Sequence, residues 1–274
     1  MTDPTLRIAF IGGGNMASAI IGGLIQRGLP AGQIEVVEPF PEAQQALQNK
    51  FGITAHAQAG DFLHGVSMVV WAVKPQTFRE AAGPVREHTR SALHLSVAAG
   101  IPSASIARWL DTDRVVRSMP NTPALIGMGI TGLFPRPGVT PDDRRRVEEV
   151  AATMGEFLWV EREEQIDTVT ALSGSGPAYV FYFLEAMTDA GAGMGLTREQ
   201  AYKLAVQTFR GASALAHASA ETPEILRQRV TSKGGTTHAA ITRLEEHQVK
   251  PLFVQAMQAA QQRARELGEE FGRN

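Results

Sequence analysis

A chain of 274 residues, 43% hydrophobic and 20% charged, can bury one large core or two modest ones and is too apolar for a disordered protein. Its net charge of −2 leaves no basic footprint for nucleic acid and no polybasic membrane signal. The lack of cysteine excludes disulfides, thiolate metal sites and a cysteine nucleophile together.

The apolar run Met68–Val73 is far too short to cross a bilayer, and the first residues show no charged segment leading into a long apolar one. A reducing cytoplasm is the expected setting. Arg7–Ile11, Ile34–Val37, Met68–Val73, Leu93–Val97 and Val115–Met119 read as strands. Ile20–Arg27, Glu42–Lys50, Gln76–Glu87 and Ser105–Leu110 read as the helices between them. Apolar strands alternating with helices imply a parallel sheet covered on both faces. Ile130–Phe134, a helix over Val147–Met154 and a last strand at Phe157–Val160 complete this part.

The texture changes near Glu163, and the rest of the chain reads as entirely helical. Pro177 suits the first turn of a helix running to about Asp189. Thr197, with Glu199 and Gln200 after it, starts another that reaches His217. Thr222–Pro223–Glu224 is a third start, and Phe253–Leu267 is a final helix. Val180–Leu184 and Ala212–Ala216 show little polar patterning, and helices apolar on most sides suit burial in a second subunit. The expected fold is α/β: a Rossmann-type dinucleotide-binding domain over residues 1–163, then an all-α dimerisation domain over 164–274.

Phe10–Ile11–Gly12–Gly13–Gly14–Asn15–Met16–Ala17 leaves a strand and opens a helix. Gly12 permits the tight turn, Gly14 lets backbone approach a pyrophosphate, and Ala17 is small enough for close helix–strand packing. The helix start then offers free N–H groups to phosphate. Glu38 ends the second strand, where a carboxylate accepts hydrogen bonds from both ribose hydroxyls and repels a 2′-phosphate. It tilts the expected cofactor, NADPH or NADH, toward NADH.

Five further blocks come in order: Ala72–Val73–Lys74–Pro75–Gln76; Ser96–Val97–Ala98–Ala99–Gly100–Ile101; Met119–Pro120–Asn121–Thr122–Pro123; Leu172–Ser173–Gly174–Ser175–Gly176–Pro177–Ala178–Tyr179; and Val230–Thr231–Ser232–Lys233–Gly234–Gly235–Thr236–Thr237. From Arg7 to about Leu267 the chain resembles the pyrroline-5-carboxylate reductases. The resemblance implies an NAD(P)H-dependent reduction of 1-pyrroline-5-carboxylate to L-proline, the last step of proline biosynthesis. It also implies a homodimer, or a higher homo-oligomer built from it.

Ala72, Val73, Lys74, Pro75, Val97, Ala98 and Ala99 fall at strand C-terminal ends, where open α/β sheets bind ligands. With Ile11, Gly12, Gly14, Asn15, Met16, Glu38 and Asn121 they form the expected cofactor site. Ala98 and Ala99 leave room for a flat ring, and Pro120 and Pro123 stiffen the loop that carries Asn121. Gly234 and Gly235 open a helix whose start suits an anion. The resemblance places Thr236 and Thr237 against the substrate carboxylate, with the Thr237 hydroxyl near the ring nitrogen as the catalytic contact. It aligns Glu163 with an acidic residue near the substrate.

Three departures stand out: Lys233 where the family usually has proline, Arg229 where an amide is common, and Glu38 itself. His238 reads as a surface helix histidine rather than an acid, and His56, His64, His88, His94, His217 and His247 show no metal-ligand spacing, so no metal is expected. Ser173 and Ser175 have no neighbouring base in the sequence to make either a nucleophile. A β-hydroxyacid-dehydrogenase-like enzyme would need a catalytic lysine on a glycine-rich helix, a setting that neither Lys203 nor Lys233 has. A non-catalytic dinucleotide sensor would keep the fingerprint without needing Gly234–Thr237.

Overall fold

In the computed structural model, which describes residues 6–272, the first part runs β1 (Ile8–Ile11), α1 (Asn15–Gln26), β2 (Ile34–Val37), α2 (Pro41–Phe51), β3 (Met68–Trp71), α3 (Pro75–His88), β4 (Leu93–Ser96) and α4 (Ser103–Leu110). It continues through β5 (Val115–Met119), β6 (Gly129–Pro135), α5 (Pro141–Ala151), β7 (Gly155–Trp159) and α6 (Gln165–Val169). Successive side chains of a strand point to opposite faces, so one strand feeds two cores. Ile8, Phe10, Met68, Val70, Leu93 and Leu95 join one core with Ile20, Ile21 and Leu24 of α1 and Val147 and Val150 of α5. Ala9, Ile11, Val69 and Trp71 join the other with Phe78 and Val85 of α3 and Ile106 and Leu110 of α4. Each large side chain so buried contributes about 1.5–3 kcal/mol before chain entropy is counted.

The sheet order is β2-β1-β3-β4-β5-β6-β7. The expected parallel sheet holds through β5, but β6 runs antiparallel to β5, with Val116 opposite Pro135 and Met119 opposite Gly132. The reason is the connection. Only a short 3₁₀ turn, Thr122–Ile126, separates β5 from β6, and a parallel return needs a crossover of a dozen residues or more. α5 separates β6 from β7, and that pair is parallel again. The chain leaves β1 for β2 on one side and returns to β3 on the other, so a topological switch point lies between β1 and β3.

Several ends differ from the sequence-based expectation. β3 stops at Trp71 rather than Val73. α4 begins at Ser103, two residues early. α5 begins at Pro141 rather than Val147, because Thr140 and Asp143 form a reciprocal capping box.

The chain divides into two compact units, residues 1–175 with 260–274, and residues 176–259. The second contains α7 (Gly176–Gly193), α8 (Arg198–His217), α9 (Pro223–Arg229), α10 (Thr236–Glu246) and the first part of α11 (Val249–Gly272). Thr197 and Gln200 form a capping box at the start of α8, and α8 ends at His217 as its sequence suggests. Between residues 176 and 259 the buried positions are Thr188, Gly191, Ala201 and Ala205, while Phe181, Tyr182, Met194, Tyr202, Leu204 and Leu215 are exposed. Such a unit has little core of its own.

Candidate active site

The β1–α1 turn forms at the switch point. Gly12 has φ +92°, and a Cβ there would stand 2.7 Å from the carbonyl oxygen of Ala72. Only glycine lets the loops after β1 and β3 meet this closely. A Cβ on Gly14, by contrast, would meet nothing within 4 Å, so its backbone is open to an approaching group. Gly14 caps α1 without a side-chain hydrogen bond, and no acidic residue lies in the first turn. The first N–H groups of α1 and the positive end of its dipole thus form an anion cradle of pyrophosphate type. Asn15 is exposed there, Met16 is half-buried, and Ile11 and Ala17 are buried behind it.

Glu38 is only 5% exposed, and its carboxylate faces the glycine loop. One oxygen accepts the Gly13 N–H at 2.7 Å and the other accepts the Phe40 N–H at 2.9 Å. This is the β2 end of the crevice, and the group there is an oriented carboxylate.

Ala72 and Val73 lead to Lys74, the exposed N-cap of α3, with Pro75 at its first position. After β4, the Val97 N–H returns to the Trp71 carbonyl, Ala98 is buried, and Ala99 is exposed. Gly100 comes next with φ +73°, and a Cβ there would press on Leu267 at 3.1 Å. The end of α11 therefore packs against this loop. Asn121 uses its Oδ1 to accept the Ile130 N–H at 3.0 Å, anchoring the start of β6. What its side chain offers a ligand is the Nδ2 donor.

Within the first unit, Glu163 accepts the backbone N–H and the hydroxyl of Ser103, both at 2.6 Å, and an N–H of Arg117 at 3.1 Å. Arg117 also donates to Asp167 at 3.1 Å. The network ties β5, the start of α4 and α6 together. Glu163 is thus an anchor, and a substrate contact would have to use its remaining lone pair. Sequence patterns do not single out Arg117, Ser103 or Asp167, because 46 and 50 residues separate Arg117 from its carboxylate partners.

In the second unit, Gly234 takes φ +77° and Gly235 caps α10 without a side-chain hydrogen bond. No acidic residue lies in the first turn of α10. Thr236 is exposed and Thr237 half-buried, on the free N–H groups of that start. Arg229, at the end of α9, is ion-paired with Glu221, and Lys233 is exposed. No helix among the described residues is long and apolar enough to cross a membrane.

A doubly wound sheet with an uncapped glycine turn at its switch point, followed by an all-helical unit, defines a Rossmann-type dinucleotide-binding oxidoreductase. Residues 7–100 match the family model "NADP oxidoreductase coenzyme F420-dependent", and residues 163–267 match "Pyrroline-5-carboxylate reductase dimerisation". The chain is 43% identical over 272 residues to a pyrroline-5-carboxylate reductase of Pseudomonas aeruginosa, covering 98% of this chain and 99% of that one. It is 39% identical to that of Escherichia coli over 265 residues, covering 95% and 98%. A solved pyrroline-5-carboxylate reductase from Coxiella burnetii superposes with a TM-score of 0.90 at 38% identity, covering 96% and 98%. The Plasmodium falciparum pyrroline carboxylate reductase with NADP bound superposes at 0.85 and 25% identity, covering 96% and 98%. The chain belongs to the pyrroline-5-carboxylate reductase family.

Proposed function

We infer that this chain reduces 1-pyrroline-5-carboxylate to L-proline with a reduced nicotinamide dinucleotide, the closing step of proline biosynthesis. The observation that carries the reading is a pair of uncapped helix starts, each preceded by glycine. That of α1 suits a pyrophosphate, and that of α10 suits a small carboxylate. Kinship with reductases of this name along nearly the whole chain supports the same reading. It also sets aside the hydroxyacid-dehydrogenase and sensor alternatives.

The bound cofactor supplies hydride from C4 of its nicotinamide ring to the C=N carbon. The protein's part is to hold two reactants in register. Ile11, Gly12, Gly14, Asn15 and Met16 present backbone to the pyrophosphate, and Glu38 takes the adenine ribose. Ala72–Pro75 and Val97–Ala99 line the nicotinamide side, with the Asn121 amide beside it. Gly234, Gly235, Thr236 and Thr237 hold the substrate carboxylate, and the Thr237 hydroxyl orients the ring nitrogen. A hydroxyl is far too weak an acid to protonate an imine, so the substrate binds as its iminium or takes its proton through water. Glu163 keeps the start of α4 in place and adds to the substrate's electrostatic surroundings.

The helices of residues 176–259 complete their core in a homodimer, with Thr236 and Thr237 near the subunit interface. The exposed apolar side chains of α7 and α8 and the dimerisation-family match support this. The test of the reaction is isotopic. Pyrroline-5-carboxylate and a cofactor carrying deuterium at both C4 positions should yield proline with deuterium on Cδ. Unlabelled proline, or none, would overturn the assignment.

A further inference from the structure

Asp61, His64 and His88 belong to neither the proposed cofactor site nor the proposed substrate site, yet three of their possible ligand atoms lie within 4.8 Å of one another. His64 Nε2 is 3.1 Å from His88 Nδ1 and 3.3 Å from Asp61 Oδ1, and His88 Nδ1 is 3.7 Å from that oxygen. A zinc ion bonded at about 2.0–2.2 Å in tetrahedral geometry spaces its ligand atoms about 3.4 Å apart. The three atoms form one face of such a tetrahedron, and the open fourth corner suits water.

The fold explains the convergence. Asp61–Leu63 is a 3₁₀ turn, and a repeat of three residues brings positions 61 and 64 onto one side. Arg7 fixes this turn by donating to the carbonyls of Phe62 and His64 at 2.8 and 2.9 Å. His88 is the last residue of α3, where the negative end of the helix dipole favours a cation. Two imidazoles and one carboxylate select a borderline divalent ion such as Zn²⁺, Co²⁺ or Ni²⁺ over Mg²⁺ or Ca²⁺, which prefer oxygen.

We propose that Asp61, His64 and His88 form a surface site for a divalent transition-metal ion that staples the turn before β3 to the end of α3. The ion takes no part in hydride transfer. The site lies about 20 Å along α3 from Pro75, thirteen residues at 1.5 Å each. Its effect is on stability, because an ion that binds only the folded chain raises the melting temperature.

The test uses the whole chain stripped with chelator. Co²⁺ is titrated at neutral pH and followed by its visible absorption, and Zn²⁺ is titrated by thermal melting. We expect one equivalent of Co²⁺ with the band of a four-coordinate nitrogen–oxygen site, and a Zn²⁺-dependent rise in Tm. His64→Ala, at an exposed position, and Asp61→Asn should each weaken both responses by at least about tenfold. Pyrroline reduction should be the same in the parent and in both variants. No saturable one-equivalent band in the parent would overturn the proposal. So would an equal band and an equal Tm rise in His64→Ala, which would place the ion elsewhere.

Discussion

At the scale of single residues, the proposed function assigns the reaction to Thr237 and the cofactor choice to Glu38. A hydrogen bond to a charged partner is worth about 1.5–3 kcal/mol, so Thr237→Ala should lower kcat/KM for the pyrroline by about tenfold or more. Dinucleotide affinity, measured by fluorescence titration, should not change. Equal kcat/KM in the variant would remove Thr237 from the site. The Gly13 and Phe40 N–H groups hold the Glu38 carboxylate beside the glycine turn, where the proposal puts discrimination against a 2′-phosphate. Of the two arginines that could offset that charge, Arg27 donates to the Ala152 carbonyl and Arg79 is exposed on α3. Glu38→Ser should therefore raise the NADPH-to-NADH ratio of kcat/KM, with like-charge repulsion of about 1 kcal/mol or more removed. An unchanged ratio would place the discrimination elsewhere.

At the scale of elements, His94 on β4 links core packing to pH. Burial pushes its pKa down to about 4 from 6.5, the Arg114 charge adds to that, and a hydrogen bond with the Thr89 backbone opposes it. The Trp71 indole N–H donates to His94 Nδ1 at 3.1 Å, so the neutral ring is the one that fits. The unfolded chain takes up this proton as pH falls through about 6.5, while the folded chain resists until about 4. The histidine's contribution to stability is thus complete above 6.5 and is lost as pH drops toward 4. Thermal melts from pH 7 to 4 should show a slope that is shallower in His94→Asn. Identical slopes would contradict the assignment.

What the sequence made legible at this scale was local. Alternating apolar residues marked the strands, and Thr197 with Gln200 marked the start of α8. The orientation of β6 was not legible, because Ile130–Phe134 has the same pattern whichever way it pairs. The separation of Arg117 from Glu163 and Asp167, and of His88 from His64, hid both clusters. Their spacing is set by the sheet, not by a local repeat. In the candidate site the glycine turns and Glu38 could be read directly. The engagement of Glu163 with Ser103 could not, since it depends on where α4 begins.

At the scale of the molecule, the helical residues 176–259 expose the apolar surface that a lone copy cannot cover. Val180 and Met187 lie seven residues apart on α7, Met194 follows just past its end, and all three are exposed. Glutamate at both Val180 and Met187 should shift light scattering at micromolar concentration from dimer toward monomer. The first unit's β-sheet signature in circular dichroism should persist. A double variant that remains dimeric would exclude this stripe from the interface.

The central proposal is the reduction of a cyclic imine by a reduced nicotinamide dinucleotide. The measurement that tests this most directly is the steady-state rate of NADH and NADPH oxidation by the purified chain as 1-pyrroline-5-carboxylate is varied. We expect saturable, pyrroline-dependent oxidation with one proline formed per cofactor consumed, and NADH at least equal to NADPH as donor. No pyrroline-dependent oxidation with either cofactor would contradict the assignment.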